Sequence, residues 1–268
     1  MENKEQNLVK KCMSQEEKMK YLHEINSKYN YPEKYIKFYE NSEYKICDGS
    51  ELKKIKVFKQ EQIDSLMDLM KKTVDFLDAY EIDYWLDSGT LLGACRDGKF
   101  IPWDDDVDLA IPYDSYIKLK QIIRNFPKEY DKETNVKYRI DSKFKIKFTE
   151  LQPFMPLDKT KPFLLKTLHL DGKLNSDLFI DLMCYFSIDN QNYVSNLKAW
   201  EKVYVFPFNS IYPLKQIEFE GRMYNCVREP EVFLNNAYWF WKDLAVASHA
   251  HFQYMREHRD KKIYFTLR

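Results

Sequence analysis

The sequence predicts an α+β fold, α/β-like in its first half, in which a mixed sheet is flanked by helices. Three observations predict this class. Segments with helical and with strand-like apolar spacing alternate between residues 59 and 126. Residues 136–148 then alternate charged and apolar side chains, as a hairpin does, and residues 178–186 form an apolar run dense enough for a central strand. Such an order is typical of sheets that carry helices on their faces.

The first half of the chain has the clearest local signals. Apolar residues recur at helical spacing across residues 59–80, with charged residues between them, which predicts a helix with one face on the core. The other elements predicted here are a strand at 82–87, a turn that enters a helix at 88–94, a loop at 96–103, a strand at 106–111 and a helix that starts near Pro112.

The second half is predicted to hold strands and hairpins, and both ends of the chain to be helical. The predicted elements are two apolar strands within 162–188, a helix at 192–206, one or two strands that turn at Gly221 within 214–227, and a helical, aromatic tail at 230–265. Residues 1–55 are charged and rich in tyrosine, with weak periodicity. We expect them to form short helices or a partly mobile extension.

Charge balance excludes some classes of function. Lysine plus arginine and aspartate plus glutamate both number 42 in 268 residues, so the formal net charge is zero. A neutral chain has no overall positive field to attract nucleic acid or an anionic membrane. We therefore expect no nucleic-acid partner, and any recognition of phosphate has to be local.

The cysteines and the N-terminal sequence bear on the compartment. The five cysteines are scattered and no pair has the spacing of a metal site, so we expect reduced structural thiols in a cytosolic protein. The N-terminus is charged, and no apolar stretch approaches the roughly 20 residues that a bilayer-spanning helix needs. The expectation is a cytoplasmic protein without a transmembrane segment, with peripheral membrane contact left open.

An acidic cluster at residues 104–108 predicts a metal site. Side chains of a strand alternate between its two faces, so Asp104, Asp106 and Asp108 are expected to share one face. Like charges this close repel each other, and a divalent cation relieves the repulsion. Because Mg2+ typically takes one or two carboxylates together with substrate phosphates, the cluster suggests a site for Mg2+ or Mn2+ and a nucleotide.

Two other interpretations of the acidic cluster compete with the metal site. A calcium loop starting at Asp104 would need glycine where Leu109 stands and glutamate where Ser115 stands, so it is rejected. A solvated turn is the commoner reason for an acidic run. It fits poorly here, because Trp103 precedes the acids and apolar residues 109–111 follow them, as at the entry to a buried strand.

Asp181 is the candidate for a third acidic group. It lies inside an otherwise apolar run, where a lone carboxylate is costly unless it is paired or bound to a metal. The alternative is an aspartate at a strand end that accepts hydrogen bonds from backbone amides. Asp177 is a rival for the role, and Asp181 is preferred because its neighbours on both sides are apolar. If the two strands are neighbours, Asp181 would meet Asp106 and Asp108.

Candidate contacts for nucleotide phosphates flank the acids. The turn Ser88-Gly89-Thr90 can offer backbone N–H groups to a diphosphate, although a plain helix cap explains such a turn as well. Arg96 and Lys99 follow the turn and could hold donor phosphates, and Lys215 is a weaker candidate of the same kind. Each basic residue taken alone is also compatible with a surface charge.

Several of these segments together resemble one family. The stretch from Trp85 to Ala94, then Arg96, then Phe100-Ile101-Pro102-Trp103-Asp104-Asp105-Asp106-Val107-Asp108, closely resembles the long first motif of the LicD / fukutin-related protein family. Phe179-Ile180-Asp181-Leu182 is similar to its third acidic strand, and the stretch from Tyr212 to Gly221 to its late Pro-Leu-Lys…Phe-Glu-Gly segment. The likeness covers about residues 60–235.

The resemblance implies a nucleotidyltransferase-like fold and a reaction. A substituted phosphate, such as phosphocholine or ribitol phosphate, would pass from a CDP-linked donor to a hydroxyl of a glycan or glycoconjugate. Asp106 and Asp108 would be metal ligands, with Asp104 or Asp105 as a helper. Asp181 would be a third ligand or the general base.

The resemblance also suggests how the chain is divided. The expected parts are a charged extension at 1–55, a LicD-like catalytic domain at 56–235 and a helical tail at 236–268 packed on that domain. Animal members are membrane-anchored in the secretory pathway, and at least one has a zinc-binding cysteine loop. This sequence shows neither feature, which brings it closer to the soluble microbial type.

Two other functions share the same acidic residues. A nucleotidyltransferase that releases pyrophosphate would need the same three carboxylates, because metal ions bridge phosphate oxygens in both reactions. A catalytically silent binding protein on the same fold would be indicated by loss of an acid, and all the acids are present.

Overall fold

The structure is a computed structural model. It describes residues 12–29, 33–40, 45–50, 52, 58–104, 106–125, 138–141, 144–151, 165–171, 180–189, 192–195, 204–238, 240–246 and 263–267. The chain divides into two units, a larger one from residues 59–101 and 106–236 and a smaller one from 1–58, 102–105 and 237–268. The α+β class is confirmed. The three-part division expected from the sequence stays a prediction.

The helices and strands follow one another in a mixed order. In chain order they are α1 (Gln15–Tyr29), α2 (Glu33–Glu40), β1 (Lys45–Cys47), α3 (Gln60–Ala79), β2 (Trp85–Leu86), α4 (Ser88–Arg96), β3 (Val107–Pro112), α5 (Tyr113–Asn125), β4 (Tyr138–Asp141), β5 (Phe144–Leu151), β6 (Leu165–Asp171), β7 (Ile180–Asp189), β8 (Asn192–Ser195), β9 (Tyr204–Pro207), α6 (Phe208–Ile211), β10 (Lys215–Phe219), β11 (Arg222–Cys226), α7 (Pro230–Ala237), β12 (Leu244–Val246) and β13 (Ile263–Thr266).

A mixed sheet of eight strands forms the centre of the larger unit. Its order is β2-β3-β7-β6-β5-β4, with β8 paired to β7 and β9 to β8. β3 and β7 run parallel, and the other pairs are antiparallel. All six residues of β3 are buried, as expected for a strand covered on both faces. The prediction of a central strand at 178–186 is confirmed, because β7 lies between β3 and β6.

Helix α3 follows the predicted apolar stripe. Leu66, Met70, Val74 and Leu77 are buried on one face, and these positions recur at three and four residues. The N–H of Lys59, just before the helix, donates to Gln62 Oε1 at 3.0 Å, which satisfies one backbone donor at the helix start. The helix therefore packs one face on the core and exposes the charged residues of the other.

The prediction of a helix at 192–206 is wrong. The described part of this segment forms strands β8 and β9, which pair with each other, and β8 extends the sheet from β7. The helical tail is likewise wrong at two places, since β12 and β13 are strands. Pairing with another strand outweighs local helical spacing in these segments, because strand formation depends on the cross-strand neighbours.

The smaller unit is a three-stranded sheet with helices. Its strand order is β1-β13-β12, with β1 parallel to β13. Leu22 and Ile25 of α1 are buried with Ile46 of β1 in one apolar cluster, and Trp103 packs against a second cluster. Among the described residues, no helix combines the length and the apolar content needed to cross a bilayer.

A disulfide joins Cys12 to Cys47 in the smaller unit. The expectation that all five cysteines are reduced is therefore wrong for this pair. The spacing of 35 residues gave no sign of it, because disulfide pairing depends on which segments meet in space. Cys95, Cys184 and Cys226 are not part of this disulfide.

Alkylation of the unfolded protein should count these thiols. Without reductant, we expect three labels, at Cys95, Cys184 and Cys226, and after reduction five, which intact-mass spectrometry resolves. Five labels before reduction would show that Cys12 and Cys47 are not bonded in solution.

Candidate functional site

Three carboxylates meet at the start of two neighbouring parallel strands. Asp108 on β3 stands opposite Asp181 on β7 in the strand register, and Asp106 lies just before β3. One carboxylate oxygen from each of Asp106, Asp108 and Asp181 lies within 4.8 Å of the other two. Asp106 and Asp108 are buried, while Asp181 is half-buried. The structure thus brings together the three acids that the sequence proposed as metal ligands.

The acid cluster has the right chemistry for Mg2+ or Mn2+. All three groups are carboxylates, and hard divalent cations prefer oxygen ligands. Two buried carboxylates beside a third raise the electrostatic energy of the folded protein, and a cation lowers it. The residues present therefore fit a divalent metal. Asp104 is also buried, whereas Asp105 lies outside the described residues.

Asp108 is held by the first turn of α4. The N–H of Gly89 donates to Asp108 Oδ2 at 3.1 Å, and the N–H of Asp108 donates to Thr90 Oγ1 at 2.9 Å. The N–H of Asp87 donates to the backbone carbonyl of Asp108 at 3.1 Å. Gly89 and Thr90, predicted from the sequence as phosphate contacts, thus both have a partner at Asp108. Their contact with a donor phosphate stays a prediction.

A buried aspartate lies next to this turn. Asp87 is 3% exposed, and the hydroxyl of Tyr185 on β7 is 3.0 Å from each of its carboxylate oxygens. Burial raises the pKa of Asp87 to about 6, while hydrogen bonds from Tyr185 and the Ser88 backbone work in the opposite direction. Asp87 therefore links the turn before α4 to the strand that bears Asp181.

Ser88 begins helix α4 with an unusual backbone. Its φ is +43°, in the left-handed region that few residues other than glycine, asparagine and aspartate adopt easily. Its Oγ is buried and has no hydrogen-bond partner among the described residues. The sequence prediction for Ser88 concerned backbone N–H groups of this turn and a diphosphate, and it stays a prediction.

The basic candidates have other surroundings. Arg96 Nε donates to Asp97 Oδ2 at 2.8 Å, and the Arg96 side chain is 8% exposed. Lys99 and Lys215 are exposed. Arg96 thus takes part in an ion pair at the end of α4, and the donor-binding role of the three residues stays a prediction.

The loop after α4 is tied to the β10–β11 hairpin. The N–H of Glu220 donates to the carbonyl of Gly98 at 3.0 Å, and the N–H of Phe100 donates to Glu220 Oε1 at 2.7 Å. Glu220 and Gly221, with φ of +49° and +75°, form the two-residue turn between the strands. The predicted turn at Gly221 is confirmed, and it holds the loop that carries Lys99.

Helix α4 and this loop approach each other most closely at Gly93. A Cβ placed there would lie 2.5 Å from the backbone carbonyl oxygen of Lys99 and 3.2 Å from Ile101 Cγ1. The lack of a side chain therefore lets the helix and the loop pack together.

We expect Gly93→Ala to destabilise the protein. Alanine favours a helix interior by about 1 kcal/mol over glycine, but overpacking against backbone costs about 1–3 kcal/mol. We therefore expect the cost of the close contact to outweigh the gain in helix propensity. The free energy of unfolding in urea measures the balance. A gain in stability, the ordinary result of this substitution in an open helix, would show that the loop yields.

Three residues that shape the site, Asp87, Tyr185 and Glu220, were not predicted from the sequence. Asp87 and Glu220 fall inside the segments that resemble the family, and their spacing alone does not show what they contact. Tyr185 lies in the apolar run of β7 and looks like a core aromatic residue. A signal for all three appears only in the fold, where Tyr185 meets Asp87 across 98 residues of sequence and Glu220 meets Phe100 across 120.

Comparison with known proteins gives the class and then the family. The profile of a nucleotidyltransferase domain, described as LicD/FKTN/FKRP, matches residues 81–228, which include the turn before α4, the three acids and the β10–β11 hairpin. This match covers more than half of the chain. The protein therefore belongs to the LicD/FKTN/FKRP family, as its resemblance indicated.

The chain also aligns with individual proteins, over stretches of different length. The chain is 26% identical over 214 residues to an uncharacterized protein of Rickettsia prowazekii, which covers 78% of this chain and 66% of that protein. It is 30% identical over 115 residues, 42% of this chain and 39% of the relative, to the lipopolysaccharide cholinephosphotransferase LicD of Haemophilus influenzae.

A short segment is more similar to an animal protein. Over 47 residues, 18% of this chain, the identity to human ribitol 5-phosphate transferase FKRP is 49%. The aligned part spans 10% of FKRP, against 39% of LicD and 66% of the Rickettsia protein. The chain thus spans less than two thirds of these proteins, and similarity is highest in a short segment.

Proposed function

We propose that this protein is a metal-dependent transferase that moves a substituted phosphate from a CDP-linked donor to a hydroxyl of a glycan or glycoconjugate. The observation that carries the proposal is the convergence of Asp106, Asp108 and Asp181 within 4.8 Å of one another. The relatives named for cholinephosphate and ribitol 5-phosphate transfer support the class of reaction.

The three acids supply what phosphoryl transfer requires. Such reactions depend on positioning and on neutralising charge rather than on covalent chemistry by the protein. A bound Mg2+ or Mn2+ would neutralise the donor phosphates. Asp106 and Asp108 would hold the metal, and Asp181 would complete the ligand set or accept the proton of the attacking hydroxyl.

Other residues would receive the donor at the head of α4. The buried Oγ of Ser88 lies at the N-terminus of the helix, where backbone N–H groups favour an anion. Arg96, Lys99 and Lys215 would hold the phosphates from the loop and the β10–β11 hairpin. Gly89 and Thr90 belong to the same turn, with Asp108 as their partner in this structure.

The leaving group distinguishes this reaction from its alternative. In the proposed transfer, the acceptor oxygen forms a bond to the phosphorus that bears the donor alcohol, and the bond from that phosphorus to CMP breaks. A nucleotidyltransferase would instead attack a nucleoside triphosphate and release pyrophosphate. The products therefore report which reaction occurs.

The test incubates the protein with Mg2+ or Mn2+, CDP-choline or CDP-ribitol, and a panel of glycans, and follows CMP by chromatography. We expect CMP only when an acceptor is present, with loss of the product on chelation. The matched control is Asp108→Asn, which keeps the shape of the side chain. Pyrophosphate from CTP or ATP without any turnover of a CDP-alcohol would refute the proposal.

The compartment is part of the proposal. The sequence predicts a cytoplasmic protein, whereas cytosolic proteins seldom keep disulfides and the structure contains one between Cys12 and Cys47. We retain the cytoplasmic placement, in which these two thiols would be kept reduced. Trapping thiols with an alkylating agent in intact cells decides the question, because a pair that resists labelling there contradicts it.

A further inference from the structure

We propose that Asp87 and Tyr185 are positioning residues for Asp108. Their hydrogen bond holds the first turn of α4 where Gly89 and Thr90 can fix the Asp108 carboxylate beside Asp181. This inference deepens the proposed function, because it concerns the same acidic cluster. It assigns a role to two buried residues that neither bind the metal nor contact the donor in the proposal above.

Asp87 connects three elements. Its N–H donates to the carbonyl of Asp108 on β3 at 3.1 Å, and its own carbonyl accepts from the N–H of Leu91 in α4 at 2.8 Å. Its side chain accepts from the hydroxyl of Tyr185 on β7 at 3.0 Å. The residue is therefore fixed to β3 and β7, the two strands beside the acids, and to helix α4, which precedes both in sequence.

Tyr185 is well placed to anchor this connection. It is 1% exposed and lies four residues after Asp181 on β7, so the two side chains are on the same face of the strand. The ring of Trp85 meets that of Tyr185 edge-on, with centroids 5.2 Å apart. A ring packed in this way presents its hydroxyl from a fixed position, since few rotamers remain open to it.

The first turn of α4 connects this anchor to Asp108 through Gly89 and Thr90. Gly89 holds one carboxylate oxygen and Thr90 holds the backbone N–H of the same residue. Three carboxylates that repel each other would otherwise turn apart in the absence of a metal. A turn that resists this movement keeps the ligand oxygens together, and such partners of ligands typically contribute 10–100-fold to metal affinity.

A different role for Asp87 would rest on its charge alone. An extra carboxylate near the cluster would attract a cation through space, without any need for the hydroxyl of Tyr185. Positioning requires the hydrogen bond and not the charge. Asparagine at position 87 separates the two, because its amide oxygen still accepts from the Tyr185 hydroxyl while the charge is gone.

The experiment measures the Mn2+ dissociation constant of the full chain at pH 8 by titration calorimetry, and the fold by circular dichroism. We expect Tyr185→Phe and Asp87→Leu to weaken Mn2+ binding about 10-fold or more. Asp87→Asn should rescue most of the loss seen with Asp87→Leu. The matched control is Tyr84→Phe, which also removes a buried tyrosine hydroxyl, one that contacts the backbone of Asn225.

A second pair of variants tests the turn itself. Thr90→Val removes the oxygen that accepts the Asp108 N–H, whereas Thr90→Ser keeps it. We expect about a 10-fold weaker affinity for the valine variant and recovery with serine. If Tyr185→Phe fails to fold, the double variant Asp87→Leu/Tyr185→Phe replaces it, because removing both partners does not leave the buried Asp87 carboxylate without the Tyr185 hydroxyl.

The outcomes separate this inference from the proposed function. Folded Tyr185→Phe and Thr90→Val proteins that bind Mn2+ as the wild type does would overturn the inference, as would an Asp87→Asn protein as weak as Asp87→Leu. If the variants behave as expected but no CDP-alcohol is turned over, the proposed function fails and the inference stands. A wild type that binds no Mn2+ would refute both.

Discussion

Replacing Asp106 or Asp108 with asparagine is expected to lower the transferase activity about 10³-fold while the fold persists. A bound metal supplies several kcal/mol of transition-state stabilisation, and each 1.4 kcal/mol corresponds to a factor of ten in rate. Asparagine at position 108 can still accept from the N–H of Gly89, so the turn of α4 should stay in place. Removing one charge also relieves repulsion within the cluster, so the melting temperature without metal should hold or rise.

Thermal unfolding with and without Mn2+ completes this test. Metal should raise the melting temperature of the wild type, because it binds the folded state, and should have little effect on the two variants. Asp114→Asn, at an exposed position six residues after Asp108, is a control that should keep both activity and the metal effect. A large loss of stability with activity retained would mean that Asp106 and Asp108 have a structural role.

Asp181→Ala should impair activity about as severely as either of those substitutions. Residues that act as one unit are strongly non-additive, so the double variant Asp106→Asn/Asp181→Ala should be little worse than each single variant. The structural reason is the strand register, which places Asp181 directly opposite Asp108. Steady-state rates of CMP formation for the wild type, two single variants and the double variant give the coupling.

The Mn2+ affinity of Asp181→Ala then assigns its role. A metal ligand should lose affinity along with activity, whereas a general base should lose the rate of transfer and keep the metal. If the two losses of activity multiply in the double variant, Asp181 lies outside the acidic cluster's site, since free-energy effects add only for residues that do not interact.

Local sequence patterns predicted most elements between residues 59 and 126. The apolar stripe of α3 and the apolar run of β3 are strong sequence signals, because every residue in them contributes to the same spacing. The turn at Gly221 was also predictable, because a two-residue turn with positive φ needs glycine at one of its positions. Each of these features depends on residues close together in the chain.

The segments predicted wrongly form strands whose pairing is not visible in local apolar spacing. The β8 strand pairs with β7 from Tyr185 to Asp189, and β12 pairs with β13, which lies about twenty residues further on. Local apolar spacing does not contain these pairings. The disulfide between Cys12 and Cys47 was not predicted either, because it requires β1 and the segment before α1 to be neighbours in space.

In the candidate site, too, some residues could be predicted from local sequence and others could not. Asp106 and Asp108 were identified from two neighbouring carboxylates at the entry of a strand, and Asp181 from a charge in an apolar run. Their convergence was a conditional expectation that required β3 and β7 to be adjacent, and the parallel pairing meets that condition. The contact between Tyr185 and Asp87 could not be predicted, because the sequence around each residue does not indicate that the other lies close in space.

The backbone of Ser88 limits which substitutions this turn can accept during evolution. A side chain branched at Cβ is strongly disfavoured at a φ of +43°, whereas glycine, asparagine and aspartate adopt this region at low cost. The tolerated residues differ mainly in the oxygen, amide or charge that they place at the head of α4. If the proposed function holds, single substitutions at position 88 would change the chemistry offered to a donor phosphate while the turn that holds Asp108 keeps its shape, which would be a short route to new donor preferences.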